Sequence, residues 1–170
     1  GETGEFQTRG YSVMLGYWND EKRTKDAITP DGWMRTGDLG VMDELGYANI
    51  VGRIKDMIIR GGENVYPVEI EGFLYTHPDI RDVQVIGVPD EKFVEEVMAC
   101  VIMKEGRPPL TLEAMKAYCK DRLAHYKIPR YLEVVTEYPM TVTGKVRKVE
   151  MREWAVKKLG LEKAAAMKTA

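Results

Sequence analysis

Gly52-Arg53-Ile54-Lys55-Asp56, leading through Met57-Ile58-Ile59-Arg60 into Gly61-Gly62-Glu63-Asn64-Val65-Tyr66-Pro67-Val68-Glu69-Ile70-Glu71, decides how the fold is read. Before it the chain is broken up by glycine and aspartate turns. After it, strand and helix patterns alternate. Asp56–Arg60 reads as a short apolar strand, and Gly61–Asn64 as a flexible loop. Pro67 suits a first helical position, where its missing N–H has no partner to lose. Ile70, Phe73 and Leu74 then follow at helical spacing, which predicts an apolar helix face.

Downstream, Val83–Val88 and Val97–Met103 are almost uninterrupted apolar runs, predicting buried strands on either side of a turn at Pro89-Asp90-Glu91. Thr111 can cap a helix on which Leu112, Met115, Cys119 and Leu123 share a face. Pro129 closes that region, Tyr131–Thr136 reads as a strand and Pro139–Gly144 as a loop. A basic helix begins near Val146, and the alanine- and lysine-rich tail after Gly160 is expected to fray. The part after residue 53 is therefore expected to be a compact α+β domain, a short mixed sheet flanked by helices. Upstream, Asn19 is placed as the cap of a helix reaching about Ile28, and Thr29-Pro30-Asp31-Gly32 as a turn. Leu39–Asp43 and Tyr47–Val51 are predicted strands joined by Glu44-Leu45-Gly46, so the first third reads as small β-structure.

Composition narrows the function. The chain has 170 residues, 44% hydrophobic and 31% charged, which suits one soluble domain or one domain plus part of another. Lys+Arg 25 against Asp+Glu 27 leaves a formal net charge of -2, with no overall pull toward nucleic acid or an anionic membrane. No apolar run approaches the ~20 residues of a membrane span, and no secretory signal is visible. Cys100 lies in an apolar run and Cys119 on the apolar side of a predicted helix, so both read as buried free thiols of an intracellular, cytoplasmic protein. No CxxC pair, HExxH, GxSxG or GxGxxG occurs, so no metal site, serine nucleophile or dinucleotide fingerprint is expected. Thr143-Gly144-Lys145 is not the end of a P-loop, because Pro139 and Val146 stand where that motif needs glycine and Ser/Thr. The opening Gly1-Glu2-Thr3-Gly4 lacks an initiator methionine, which suggests a piece of a longer protein.

Three stretches stand out together: Trp33-Met34-Arg35-Thr36-Gly37-Asp38, the Gly52–Glu71 stretch, and Pro139-Met140-Thr141-Val142-Thr143-Gly144-Lys145. With Gly1-Glu2-Thr3-Gly4-Glu5 and Val13-Met14-Leu15-Gly16-Tyr17-Trp18, they resemble the adenylate-forming superfamily of acyl-CoA synthetases, luciferases and peptide-synthetase adenylation domains. Within it the chain looks most like medium- and long-chain fatty acyl-CoA ligases. The resemblance implies that residues 1–53 are the last strip of a large domain, 54–57 a hinge, and 58–170 a mobile C-terminal domain. It also implies ATP, Mg2+ and coenzyme A. A carboxylate attacks the α-phosphate of ATP, and the coenzyme A thiol then displaces AMP. The phosphate loop, most of the Mg2+ site and the acyl pocket would lie upstream of this chain, leaving it inactive alone.

The residue roles follow from that resemblance. Asp38 corresponds to the aspartate that binds the ATP ribose; alone it would read as a turn residue bonded to its own backbone. Arg53 matches a nucleotide-contacting arginine, against the alternative of a surface ion pair with Asp56 or Asp38. Lys55 stands at the hinge position, where a solvated lysine is the competing reading. Gly61 and Gly62 would line the pantetheine channel, Gly62 being the better candidate. Lys145 would stabilise the charge that develops on the α-phosphate and carboxylate during adenylation, against the alternative of one more lysine in a basic stretch. Trp18, Trp33 and the methionines are read as packing. Rival readings are a ligase for an aryl or other small acid, and a non-catalytic nucleotide- or partner-binding module. Residues 1–53, apolar on their faces, are expected to associate with another copy or to be poorly ordered.

Overall fold

The computed structural model describes residues 1–168. It divides into two compact units, Gly1–Lys55 and a second from Asp56 onward. The first contains strand β1 (Thr3–Thr8), helix α1 (Glu21–Ala27), β2 (Met34–Met42) and β3 (Ala48–Arg53). The strands form an antiparallel sheet in the order β1-β2-β3. The cap of α1 is Asp20, not Asn19: the Asp20 carboxylate accepts from the Arg23 N–H at 2.9 Å, while Asn19 sits at a left-handed φ of 50°. Both predicted strands are longer than the sequence suggested, because β2 begins at Met34 and β3 runs on to Arg53. Asp43 ends β2 by accepting the N–H groups of Leu45 and Tyr47 at 2.9 and 2.8 Å. Only glycine fits at position 40, where a Cβ would come within 2.0 Å of the Phe6 ring and 2.6 Å of the Asn49 carbonyl. Trp18 departs from the packing role expected of it: it is 92% exposed, as are its apolar neighbours Tyr11 and Leu15 almost entirely.

A 3-10 turn, Ile54–Asp56, leads into the second unit. There follow β4 (Ile58–Arg60), β5 (Glu63–Val65), α2 (Pro67–Leu74), β6 (Ile80–Asp90), β7 (Val94–Met103), α3 (Leu112–Cys119), β8 (Tyr131–Val134), α4 (Lys148–Leu159) and α5 (Glu162–Lys168). The sheet is mixed, ordered β5-β4-β7-β6, with β8 parallel to β7 and the other pairs antiparallel. Each face of β6 and β7 is buried. Val83, Val85, Val97, Ala99 and Val101 pack with Ile70, Leu74, Met115 and Cys119 from α2 and α3. Ile86, Val88, Met98 and Cys100 pack with Tyr138, Met151 and Ala155 on the α4 side. Two covered faces explain why these strands read as continuous apolar runs rather than alternating ones. Both thiols are buried and unbridged. Burial pushes Cys100 up to about 12 and Cys119 to about 11.

Several boundaries move. Gly61 and Gly62 make a tight turn rather than opening a flexible loop, because Glu63–Val65 pairs with β4. Pro89 and Asp90 belong to β6, opposite Glu95 and Val94, so the turn falls later, at residues 91–93. Thr111 caps α3 by accepting from the Ala114 N–H at 3.2 Å, but α3 ends at Cys119 and Leu123 reaches the same core from beyond it. The strand predicted to Thr136 stops at Val134, and the basic helix starts at Lys148. Among the described residues the tail does not fray: α5 follows the turn at Gly160 and buries Ala164, and residues 169–170 lie outside the described residues.

Candidate functional site

In the first unit, the register of β2 on β3 places Asp38 opposite Arg53. Arg53 Nε donates to Asp38 Oδ1 at 2.8 Å, with side chains 62% and 31% exposed. The ion pair held as the plainer alternative is therefore present. At this exposure it is worth only about 0–1 kcal/mol, so an incoming ligand could exchange it at little cost. Asp38 stands within β2 rather than in a turn, at an irregularity in the β1–β2 register, and the backbone before it is firmly built. Thr36 Oγ1 accepts the Asp38 N–H at 3.1 Å and donates to the Phe6 carbonyl at 2.8 Å, and the Gly37 N–H donates to Glu5 Oε1 at 3.1 Å. Beside it lies a cleft of about 530 Å3 whose walls carry Arg23, Arg35, Arg53 and Lys55 against Glu5 and Asp26, a balance of charge that favours an anionic ligand. Lys55 itself sits in the middle of the 3-10 turn.

In the second unit, Gly61 and Gly62 take φ values of 58° and 90°, a region that favours glycine. A Cβ on Gly61 would press on Phe93 at 3.1 Å, whereas a Cβ on Gly62 would meet nothing within 4 Å. The Gly62 side of the turn is thus open. The Gly61 N–H donates to the Phe93 carbonyl at 2.8 Å, tying this turn to the one between β6 and β7. A second cleft, of about 580 Å3, lies alongside, with Arg60, Phe93, Lys116, Lys120 and Arg130 on its walls. Its floor is an ionic network that the sequence reading missed. Fully buried Glu96 accepts from Arg60 Nε and NH2 at 2.7 and 2.9 Å. Arg130 NH1 reaches both Glu96 and Asp90 at 3.4 Å. The Arg60 guanidinium also lies 4.7 Å from the Phe93 ring centroid. The available signal was Glu95-Glu96 interrupting a strand predicted to be buried, since carboxylates in such a place need partners.

Lys145 ends a loop whose stem is closed. The Arg147 N–H donates to the Pro139 carbonyl and the Thr141 N–H to the Lys145 carbonyl, both at 2.8 Å. The Lys145 N–H donates to Thr141 Oγ1 at 3.0 Å. The tip is solvent-exposed at Val142, and the Lys145 side chain is exposed as well. An ammonium on a backbone braced in this way is presented to a ligand at small ordering cost. The site residues thus form three groups: Asp38 with Arg53, the two glycines with Phe93 and Arg60, and Lys145 on its own loop. Among the described residues no group of three or more His, Cys, Asp or Glu side chains could hold a metal ion, and no helix is long and apolar enough to cross a membrane.

Residues 69–145 match the family of AMP-binding enzyme C-terminal domains. The chain is 55% identical over 161 residues to a zebrafish (Danio rerio) protein named medium-chain acyl-CoA ligase ACSF2, mitochondrial, covering 95% of this chain and 26% of the relative. The human protein of the same name is 49% identical over 158 residues, with 93% and 26% covered. The chain therefore spans about a quarter of the length of these relatives. Among solved structures, ATP-bound MatB from Rhodopseudomonas palustris superposes with a TM-score of 0.86 at 37% identity, covering 94% of this chain and 31% of that one. The o-succinylbenzoate CoA synthetase MenE of Bacillus subtilis, with its acyl-adenylate intermediate, gives 0.80 at 34% identity, covering 89% and 30%.

Proposed function

The chain belongs to the adenylate-forming enzymes, with residues 69–145 in their AMP-binding C-terminal domain family, and from that premise we propose that it is part of an ATP-dependent fatty acyl-CoA ligase. In the first half-reaction a carboxylate oxygen attacks the α-phosphorus of ATP, and pyrophosphate leaves with the electrons of the broken P–O bond. In the second, the coenzyme A sulfur attacks the acyl carbonyl and AMP leaves. Asp38 accepts the ribose hydroxyls and Arg53 contacts the nucleotide. Lys145 places its ammonium against the charge that builds on the α-phosphate and carboxylate oxygens. Residues 1–53 belong to the large domain, 54–57, with Lys55, form the hinge, and 58–170 are the mobile domain. Gly61 and Gly62 border the pantetheine path, and the cationic cleft beside them suits the phosphates of coenzyme A. Mg2+ comes with ATP, and most of its site is proposed to lie in the large domain of the parent enzyme. Exposed Tyr11, Leu15, Trp18, Leu45 and Tyr47 mark a surface of the first unit that the rest of the parent, or another copy, covers.

The observation that carries the reading is Lys145: exposed, on a stem closed by backbone hydrogen bonds, and without a side-chain partner among the described residues. In the parent enzyme, Lys145→Ala should abolish most acyl-adenylate formation and largely spare thioester formation from supplied acyl-adenylate. Equal loss of both halves would refute the role. The acid is proposed to be a medium-chain fatty acid, after the relatives' names. AMP release by the parent with octanoate, compared with benzoate or o-succinylbenzoate, separates this from an aryl-acid ligase. The isolated chain should release no AMP under the same conditions, and turnover by it would place the missing groups within these residues. Buried free thiols support an intracellular enzyme, for which the cytoplasm is the proposed compartment. The vertebrate relatives are named mitochondrial, and cell fractionation decides between the two compartments.

A further inference from the structure

We infer that Glu71 and Lys148 are positioning residues for Lys145, acting through the edge of β6 that no strand pairs. This rests on the adenylation role proposed for Lys145. β6 pairs with β7 along one edge only, so the peptide groups on its other edge must find partners elsewhere. At Val85, in mid-strand, two side chains supply them. Glu71 Oε1, from α2, accepts the Val85 N–H at 2.7 Å. Lys148 Nζ, from the first residue of α4, donates to the Val85 carbonyl at 3.1 Å and to Glu71 Oε1 at 2.7 Å. The side chains are only 15% and 13% exposed, so the pair is shielded from water and its geometry is narrowly defined.

The clasp sits at the foot of the catalytic loop. Helix α4 has no side-chain cap, and its N-cap residue Arg147 is instead bound through its N–H to the Pro139 carbonyl. That hydrogen bond and the Met140–Val146 bridge close the loop stem. The first turn of α4 is therefore fixed from beneath by Lys148 gripping β6, and Lys145 lies just upstream, in the loop that leads into the helix. Losing the grip lets the first turn of α4 shift, and the loop shifts with it. Because the Lys145 ammonium serves only adenylation, a displacement there lowers one half-reaction. A general loss of folding would lower both.

The test is to measure the two half-reactions separately in the parent enzyme carrying Lys148→Met, Lys148→Arg, and the double change Glu71→Gln/Lys148→Met, with Lys145→Ala alongside. The double variant leaves no unpaired carboxylate, and its glutamine oxygen can still accept the Val85 N–H, which guards against unfolding. Both methionine variants should lose about tenfold or more in adenylation, as small misplacements of a catalytic group do. Thioester formation from supplied acyl-adenylate should be unchanged, and Lys148→Arg should recover most of the adenylation rate. Equal loss in both halves, with fast hydrogen exchange at the Val85 amide, would make the clasp purely structural and overturn the inference. So would full adenylation by the double variant while Lys145→Ala is inactive. If Lys145→Ala itself adenylates normally, the proposed role of Lys145 fails, and the inference with it.

Discussion

Val94 should be more stable as glycine. It opens β7 at a φ of 70°, the left-handed region, where a β-branched side chain collides with its own backbone. A non-glycine residue held there costs about 1–3 kcal/mol, and valine belongs in the upper half of that range. Two losses offset the relief. Glycine gives up about 0.5–1 kcal/mol of extra unfolded-state entropy. The side chain is 49% exposed, so deleting it forfeits about 1 kcal/mol of burial at most. The net expectation for Val94→Gly is a gain of about 0.5–1 kcal/mol, or about 2–6 °C in Tm for a unit of this size. The assay is urea unfolding of the 170-residue chain followed by far-UV circular dichroism, with calorimetry alongside. Val94→Ala is the control. It retains a Cβ and most of the penalty, and it loses nearly as much burial, so its midpoint should not rise. A lower midpoint for Val94→Gly, or an equal gain for Val94→Ala, would refute the strain argument. The position is also functionally placed: Val94 pairs with Arg60 across the β4–β7 ladder, next to Phe93 and the Gly61–Gly62 turn. A strained residue there is held by its surroundings, and its release should loosen the turn as it stabilises the fold.

Two further outcomes follow from the buried groups. Glu96→Ala strips Arg60, whose side chain is 15% exposed, of its carboxylate and should cost about 3 kcal/mol. Arg60→Met/Glu96→Leu leaves no buried charge unpaired, because Arg130 is half exposed and keeps Asp90, and should cost clearly less, so equal losses in the same urea experiment would contradict a paired-charge origin. The thiols give a pH dependence. Burial holds Cys100 at about 12 and Cys119 at about 11, above the ordinary value of 9.0. The native state therefore keeps protons that the unfolded chain releases. The stability they contribute is complete below pH 9 and declines as pH rises toward 12. Native protein should resist alkylation by iodoacetamide at pH 8.5 and both cysteines should react in urea. Rapid labelling of either in the native chain would contradict the burial.

Local chemistry made the skeleton legible. Pro67 and Thr111 mark helix starts whose physical cause is contained in a few residues, and the structure places α2 and α3 there. The apolar runs around Val83 and Val97 identified the central strands because burial on both faces removes the polar alternation. What the sequence missed depends on contacts distant along the chain. The strand at Glu63–Val65 exists because β4 offers it an edge, which no feature of Gly61–Asn64 announces. The tail becomes helical because the core accepts Ala164. Trp18 misled because a large aromatic side chain ordinarily signals packing, whereas among the described residues nothing covers it. For the site, the resemblance singled out the residues, but no spacing rule could pair Asp38 with Arg53; the β2–β3 register does that.

Within each unit, candidate site residues fall where the backbone departs from regular strand or helix. Asp38 lies at an irregularity in β2 fastened by Phe6 and Glu5, Gly62 lies in a turn fastened by Phe93, and Lys145 ends a loop closed on itself through Pro139 and Thr141. Turns allow a side chain or bare backbone to face a ligand, whereas strands and helices in a domain this small are needed to bury its core. Bracing from a neighbouring element then supplies the precision that a turn lacks by itself. The same logic predicts where sensitivity should lie. Substitutions at the braces, such as Lys148 beneath the Lys145 loop or Glu96 beneath Arg60, should disturb chemistry through geometry. The exposed tips, such as Val142, should tolerate exchange, because no other side chain depends on them for its position.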